Sequence, residues 1–228
     1  METTMDRKQG REARRADAAA RRADLDGSGP TAGEREPARF PGATAKFALL
    51  GEVLLTGVLV ALVGIAVVTL PVALAAGVRH LRRFIRAEGS SMAQFFGDVK
   101  SGLVGGIGVG AVAALLGLIL SFDIAIAGSG MLPGGEAMAV VGWVGLAALG
   151  VALLGAAGLW TPETGWRGAV RALPGSLVRD IPGALYLAAT AGFVGVATWA
   201  LAPLIVPALG CAALAVVAIP ERPRRPRD

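Results

Sequence analysis

The sequence predicts an all-α protein, a polytopic helical bundle in a membrane, and three observations lead to that expectation. Of the 228 residues, 54% are hydrophobic and 17% are charged, whereas soluble domains carry roughly 25% charged residues. All 22 Lys and Arg fall into four blocks, Arg7–Lys46, Arg79–Lys100, Arg167–Arg179 and Arg222–Arg227. Apolar runs of about 20 residues separate these blocks, which is the length of helix that crosses a hydrocarbon core roughly 30 Å thick.

We expect the chain to have three parts. Residues 1–45 are polar and lack an apolar stripe, which favours a disordered, solvated tail over a partner-binding helix. Residues 46–220 form the helical membrane domain, and residues 221–228 form a basic C-terminal tail. About five full-length spans are predicted in the membrane domain, at residues 47–70, 101–127, 137–160, 183–201 and 204–219.

The stretch after the first predicted span contains a proline and then a basic segment. Pro71 lacks a backbone donor and disfavours helix at Leu70, so a break or sharp kink is predicted there. A short amphipathic helix is predicted at residues 72–87, with its apolar side chains on one side. Its other sector is a basic face, formed by Arg79, Arg82, Arg83 and Arg86. This face fits three interpretations: it binds anionic lipid headgroups, it docks a cytoplasmic partner, or it sets the topology as a solvated surface.

The second predicted span begins after a capping signal and contains small residues at regular spacing. Ser91 and Gln94 have the spacing of a capping box, which predicts a new helix starting there. Within the span, small side chains recur every four residues, a pattern that lets a neighbouring helix approach closely. This stripe consists of Gly102, Gly106, Gly110 and Ala114.

The basic blocks also predict the topology. Residues 128–136 and 202–203 contain no Lys or Arg and should face outward, so the three basic blocks from Arg79 onward and the C-terminus should be cytoplasmic. A single crossing by residues 47–70 would place the N-terminal tail outside. A helical hairpin broken at Pro71 would place it inside, and we favour the hairpin, with both ends cytoplasmic.

Few residues are candidates for chemistry. Glu52 is the one acidic residue well inside a predicted span, where a charge costs about 2.5–3.5 kcal/mol on insertion scales. It is either a buried functional carboxylate or an interfacial one, because Lys46 lies only about 9 Å of helix rise away. Asp123 is expected to be interfacial. Trp160 and Trp166 flank a membrane exit and are interpreted as interfacial anchors.

Other function classes find little support in the sequence. One cysteine, Cys211, and one histidine, His80, exclude an intrachain disulfide and argue against a zinc site. His80 has no cysteine or carboxylate at ligand spacing, so we assign it no role. We find no phosphate loop and no paired catalytic carboxylates, and we predict no enzyme, no metal and no cofactor. The net charge of +5 is explained by the bias of basic residues beside membrane spans, so no nucleic-acid partner is expected.

The order of features around the basic helix resembles the YesL-like family of bacterial membrane proteins, a domain of unknown function. An apolar helix ends in Val67–Thr69, and an alanine-rich turn, an Arg-His-Leu-Arg-Arg helix and Glu88–Ser90 follow. Phe95 and Phe96 then precede the next span. The resemblance covers residues 47–219 and is strongest over 67–101. It departs from the family pattern in having its proline at position 71.

The resemblance implies a multi-pass protein of the bacterial cell membrane that is linked to carbohydrate uptake. We therefore expect a non-enzymatic accessory or regulatory component, whose partners are the lipid bilayer and a sugar-uptake transporter component. The alternative is a small transporter or channel subunit that forms a homo-oligomer through the glycine stripe and couples Glu52 to transport.

Overall fold

The computed structural model describes residues 17–18, 42, 46–130 and 133–222. These residues contain no strand, and the compact unit Gly42–Asp228 contains the helices that follow. The predicted all-α bundle is confirmed. Nearly all of the predicted N-terminal tail lies outside the described residues, as do positions 223–228 of the C-terminal tail.

Seven helices make up the bundle, and five of them are long and apolar enough to cross a membrane. They are α1 (Lys46–Val63), α2 (Leu70–Ile85), α3 (Met92–Gly128), α4 (Gly135–Leu159), α5 (Gly165–Arg179), α6 (Ile181–Ala200) and α7 (Ile205–Glu221). The two that do not qualify as spans are α2 and α5. Short 3₁₀ turns, Val67–Thr69 and Ala202–Leu204, precede α2 and α7.

Helices α1 and α2 form an antiparallel hairpin, and its break falls before the predicted position. The first span was predicted to run to Leu70, but α1 ends at Val63. The Thr69 hydroxyl donates to the carbonyls of Val63 and Ala66, which satisfies acceptors at the end of α1. Pro71 lies in the first turn of α2, where its missing N–H leaves no intrahelical bond unmade. The proline therefore starts a helix and does not break one.

Helix α2 is the centre of the bundle, which corrects the prediction of a surface helix with a basic face. Every residue from Pro71 to Val78 is buried. The small residues Ala73, Ala75, Ala76 and Gly77 allow neighbours to approach from all sides, and α2 packs against α1, α3, α4 and α7. Only the last two turns, after Val78, carry charge.

Helix α3 begins at Met92, nine residues before the predicted span, and bends inside it. The Ser91 hydroxyl accepts from the Gln94 N–H, and the Gln94 side chain accepts from the Ser91 N–H, so the predicted capping box is confirmed. Val104 has an extended ψ of 114°, and Gly105 has φ +85°, in the left-handed region that favours glycine. The start of α3 and the spanning part are therefore two rods joined at Gly105.

Successive long helices run antiparallel, which gathers the charged groups at one end of the bundle. Contacts pair Glu52 with His80, Asp98 with Arg83, Gly142 with Ile124, and Gly155 with Leu187. Six helices, α1, α2, α3, α4, α6 and α7, therefore alternate in direction along the chain. Because six is an even number, Lys46 at the start of α1 and Arg222 after α7 lie at the same end. We call this the charged end; its members are Lys46, Glu52, Arg79, His80, Arg82, Arg83, Arg86, Glu88, Asp98, Lys100, Glu163, Arg167, Arg171, Arg179, Asp180, Glu221 and Arg222. The described turns at the opposite end contain no Lys or Arg.

Glycines set the closest helix approaches. A Cβ at Gly57 on α1 would overlap the Val206 carbonyl of α7, and a Cβ at Gly210 would overlap the Val53 carbonyl in return. A Cβ at Gly110 on α3 would overlap the Val68 carbonyl. Backbones meet directly at these points, the packing that stabilises helix pairs in lipid, where burial of apolar surface provides no driving force.

We predict that Gly110→Ala destabilises the purified protein in detergent by about 1–3 kcal/mol, because the Val68 backbone must move to admit a methyl group. Gly108→Ala is the matched control on the same helix. Gly108 is exposed, and a Cβ there meets nothing within 4 Å, so alanine should stabilise the helix by about 0.5–1 kcal/mol. Thermal unfolding of both variants tests this, and equal melting temperatures would contradict the close approach of α3 to Val68.

Candidate functional site

A buried Glu–His pair joins the two arms of the α1–α2 hairpin. His80 Nε2 lies 2.6 Å from Glu52 Oε1, and the Ser90 hydroxyl donates to the same oxygen at 3.1 Å. The His80 side chain is 1% exposed and that of Glu52 is 17% exposed. The ring of Phe95 packs edge-on against the imidazole at 6.0 Å. Glu52 is thus neither isolated in the bilayer nor free at the interface.

This pair corrects the expectation that His80 lacks a carboxylate partner. The two residues are 28 positions apart, so spacing along one helix cannot reveal the contact. Their pairing depends on the register of the hairpin, in which Leu70 packs against Gly64 at the turn. Equal counts along both arms from that contact would place Arg82 opposite Glu52, so no signal in the sequence indicates the pair.

The three side chains do not form a nucleophilic triad. In such a triad the serine hydroxyl bonds to one imidazole nitrogen and the acid to the other. Here Ser90 and His80 both bond to Glu52 Oε1, and His80 Nδ1 is buried with no hydrogen-bond partner in the described residues. The geometry suits holding a proton between Glu52 and His80, and it does not activate Ser90.

A second polar cluster ties α2 to α3. Asp98 is buried, and its carboxylate accepts from Arg79 at 3.2 Å and from Arg83 at 2.6 Å. One carboxylate therefore pairs with two of the four arginines of the predicted basic face. Such a pair of charge-assisted bonds locks the start of α3 onto the end of α2.

An aromatic pair covers the kink in α3. Trp160 and Trp166 stack with centroids 5.8 Å apart, and the Trp166 indole N–H donates to the Gly102 carbonyl at 2.7 Å, in the turn before the kink. Arg79 lies over the Trp160 ring at 5.8 Å. Both tryptophans are buried, so their interpretation as interfacial anchors is wrong. The kink at Gly105 exposes backbone near Gly102. The Trp166 indole covers this backbone and donates a hydrogen bond to it, so the ring lies inside the bundle.

The four arginines of the basic face lie in three different environments, so they do not form one surface. Arg79 and Arg83 bond to Asp98, and Arg86 is exposed. Arg82 turns towards α4 and lines a cavity, where its Nη2 lies 3.4 Å from the Gly158 carbonyl. Burial lowers the pKa of the Arg82 guanidinium, and repulsion from Arg86 and Arg79 acts in the same direction.

The cavity lies at the charged end between α4, α5, α6 and α7 and has a volume of about 210 Å³. Asp180, on its wall, forms an ion pair with Arg222 and accepts from the Gly183 N–H at 3.1 Å. Arg222 also lies over the Tyr186 ring at 5.6 Å. The cavity is thus lined by Asp180, whose carboxylate is paired with Arg222, and by Arg82.

The predicted glycine stripe packs within this chain. Gly102 and Gly106 face Val72 and the two tryptophans, and Gly110 faces Val68. Ala114 is half-buried and lines an apolar groove with Val67 and Leu70. Because α2 and its preceding turn occupy the stripe from Gly102 to Gly110, a second copy cannot pack there without displacing them.

The remaining candidates stand apart from these clusters. Asp123 is exposed on α3 far from the charged end, and Cys211 is exposed on α7. Within the part of the chain that the structure describes, no three His, Cys, Asp or Glu side chains are grouped to hold a metal.

Neither a family model, a curated protein nor a solved structure matches the chain.

We predict that Asp98→Asn destabilises the protein by about 3 kcal/mol, because it leaves Arg79 and Arg83 half-buried without a counter-charge. Asp123→Asn makes the same chemical change at an exposed position and should change stability by less than about 0.5 kcal/mol. Unfolding of both variants in detergent measures the difference. A loss no larger for Asp98 than for Asp123 would show that the cluster does not hold α2 to α3.

Proposed function

We propose that this chain is a non-enzymatic accessory or regulatory protein of the bacterial cell membrane, whose charged end faces the cytoplasm and contacts a component of carbohydrate uptake. The gathering of the charged groups at one end of six antiparallel runs is the observation that supports this most. It leaves exposed cations from two separate elements at that end, Arg86 after α2 and Arg167 and Arg171 on α5. Such a surface suits a cytoplasmic protein partner of opposite charge.

The orientation follows from the same asymmetry. Lys and Arg are retained on the cytoplasmic side of spanning helices, which favours placing the charged end there. Since Lys46 and Arg222 share that end, both termini of the helical unit would be cytoplasmic. The hairpin supports this placement of the N-terminus, because α2 returns the chain to the side from which α1 starts.

We predict that a cysteine at Ala32, in a Cys211→Ser background, reacts with an impermeant maleimide only after cell lysis. Ser129→Cys, at the opposite end of the bundle, is the matched control and should react in intact cells. Labelling of Ala32→Cys without lysis would place the N-terminus outside and overturn the orientation.

The link to carbohydrate uptake depends on the resemblance to the YesL-like family over residues 67–101. The structure gives those residues a shared setting: they form α2, the capped start of α3 and the loop between them, and they supply His80, Ser90 and Asp98. Bonds from this segment to α1 and between its own two helices hold it in shape, which fits a docking or regulatory part better than a catalytic one.

A second candidate function is proton-coupled transport, and the Glu52–His80 pair favours it. A carboxylate and an imidazole 2.6 Å apart can hold or pass a proton between two arms of a hairpin, and the other imidazole nitrogen is buried with no hydrogen-bond partner among the described residues. This reading does not use the glycine stripe for oligomerisation, since the chain itself fills that stripe.

We predict that deletion of the gene impairs growth on at least one sugar and that the wild-type gene restores it. Glu52→Gln keeps the shape and hydrogen bonding of the side chain and removes its charge. It should restore growth if the protein is an accessory component and fail if Glu52 carries a transported proton. Glu136→Gln, exposed at the other end of the bundle, controls for the substitution itself, and membrane levels are compared by immunoblot. Normal growth of the deletion strain on every sugar would contradict the link to uptake.

A further inference from the structure

Arg82 is half-buried, lines the cavity at the charged end and makes one long hydrogen bond. A guanidinium carries five N–H donors, and the hydrogen bond of Arg82 within the described residues is the contact of 3.4 Å to the Gly158 carbonyl. That distance exceeds the usual 2.7–3.2 Å. Its neighbours Arg79 and Arg83 share the carboxylate of Asp98. Arg82 has no carboxylate of this kind among the described residues, so an anion that enters the cavity would supply the acceptors that its half-buried guanidinium lacks.

The electrostatic balance around Arg82 remains positive. Repulsion from Arg86 and Arg79 outweighs the attraction from Glu221. Asp180 lines the same cavity, but Arg222 pairs with it and the Gly183 N–H donates to it. The carboxylate therefore does not cancel the charge of Arg82, and the cavity attracts an anion.

The cavity is lined by both polar and apolar residues. Arg82, Ser176 and Asp180 provide polar groups, and Leu187, Val216 and Ile219 provide apolar ones. Its volume of about 210 Å³ accommodates a headgroup-sized molecule. It lies at the charged end of the bundle, where apolar helices carry their charged residues.

We propose that this cavity binds a phosphate group, with Arg82 as the cation that holds it. A guanidinium fork matches two phosphate oxygens at once, which an ammonium or a hydroxyl cannot do. The phosphate belongs to an anionic phospholipid, whose glycerol and first methylenes contact Leu187 and Val216, or to a soluble phosphate ester. The site does not depend on a link to carbohydrate uptake, since it is measured on the isolated protein.

The test uses the full chain purified in detergent, with thermal unfolding and native mass spectrometry as readouts. Phosphatidylglycerol, phosphatidylcholine with the same acyl chains and inorganic phosphate are the probes. Phosphatidylglycerol should raise the melting temperature and stay bound, and Arg82→Gln should weaken that binding about tenfold, the size of one charge-assisted pair. Arg86→Gln, an exposed neighbour in the same sector, should bind as the wild type does.

A second variant separates loss of charge from loss of space. Ala184 lines the cavity, and Ala184→Phe fills it while leaving Arg82 in place, so binding should fall as it does in Arg82→Gln. Stabilisation by phosphatidylglycerol alone assigns the phosphate to a lipid, and stabilisation by inorganic phosphate alone assigns it to a soluble ligand. The proposal is overturned if neither probe binds, if Arg86→Gln loses as much as Arg82→Gln, or if Ala184→Phe binds normally.

Discussion

The burial of α2 is the constraint on which the rest of the bundle depends. A helix of 16 residues rises only about 24 Å, and four neighbours enclose its first half. Small side chains at Ala73, Ala76 and Gly77 make that enclosure possible, because each neighbour can approach the α2 backbone closely. The second half of α2 cannot be enclosed in the same way, because it carries three arginines and a histidine and is followed directly by Arg86.

The charged half of α2 is accommodated by carboxylates from other helices. Glu52 of α1 meets His80, and Asp98 of α3 meets Arg79 and Arg83. Glu52 and Asp98 therefore have a structural role first: their carboxylates allow the basic end of α2 to lie inside the bundle. Any function of Glu52 has to operate from within this bonded arrangement.

The sequence was sufficient to predict the class, the five long apolar helices to within nine residues at each end, and the capping box at Ser91. Those features depend on local composition and on spacing within one helix. The break in the hairpin was misplaced because Pro71 is compatible with the first turn of a helix as well as with its end. The Glu52–His80 pair was missed because it depends on the register between two arms, and the burial of Trp160 and Trp166 was missed because it depends on the kink at Gly105.

The four arginines occupy equivalent positions in the sequence pattern, but the structure gives them different contacts. A helical wheel places the four arginines in one sector. On a helix at the centre of a bundle, that sector faces α3, α4 and, beyond the helix end, solvent. Arg79 and Arg83 face α3 and find Asp98, Arg86 extends past the end of the helix into solvent, and Arg82 faces α4. On the α4 side, the hydrogen bond that Arg82 makes is to the backbone of Gly158. The neighbour that each residue faces, and not the charge pattern of α2, decides which arginines meet a carboxylate of the chain and which one lines the cavity.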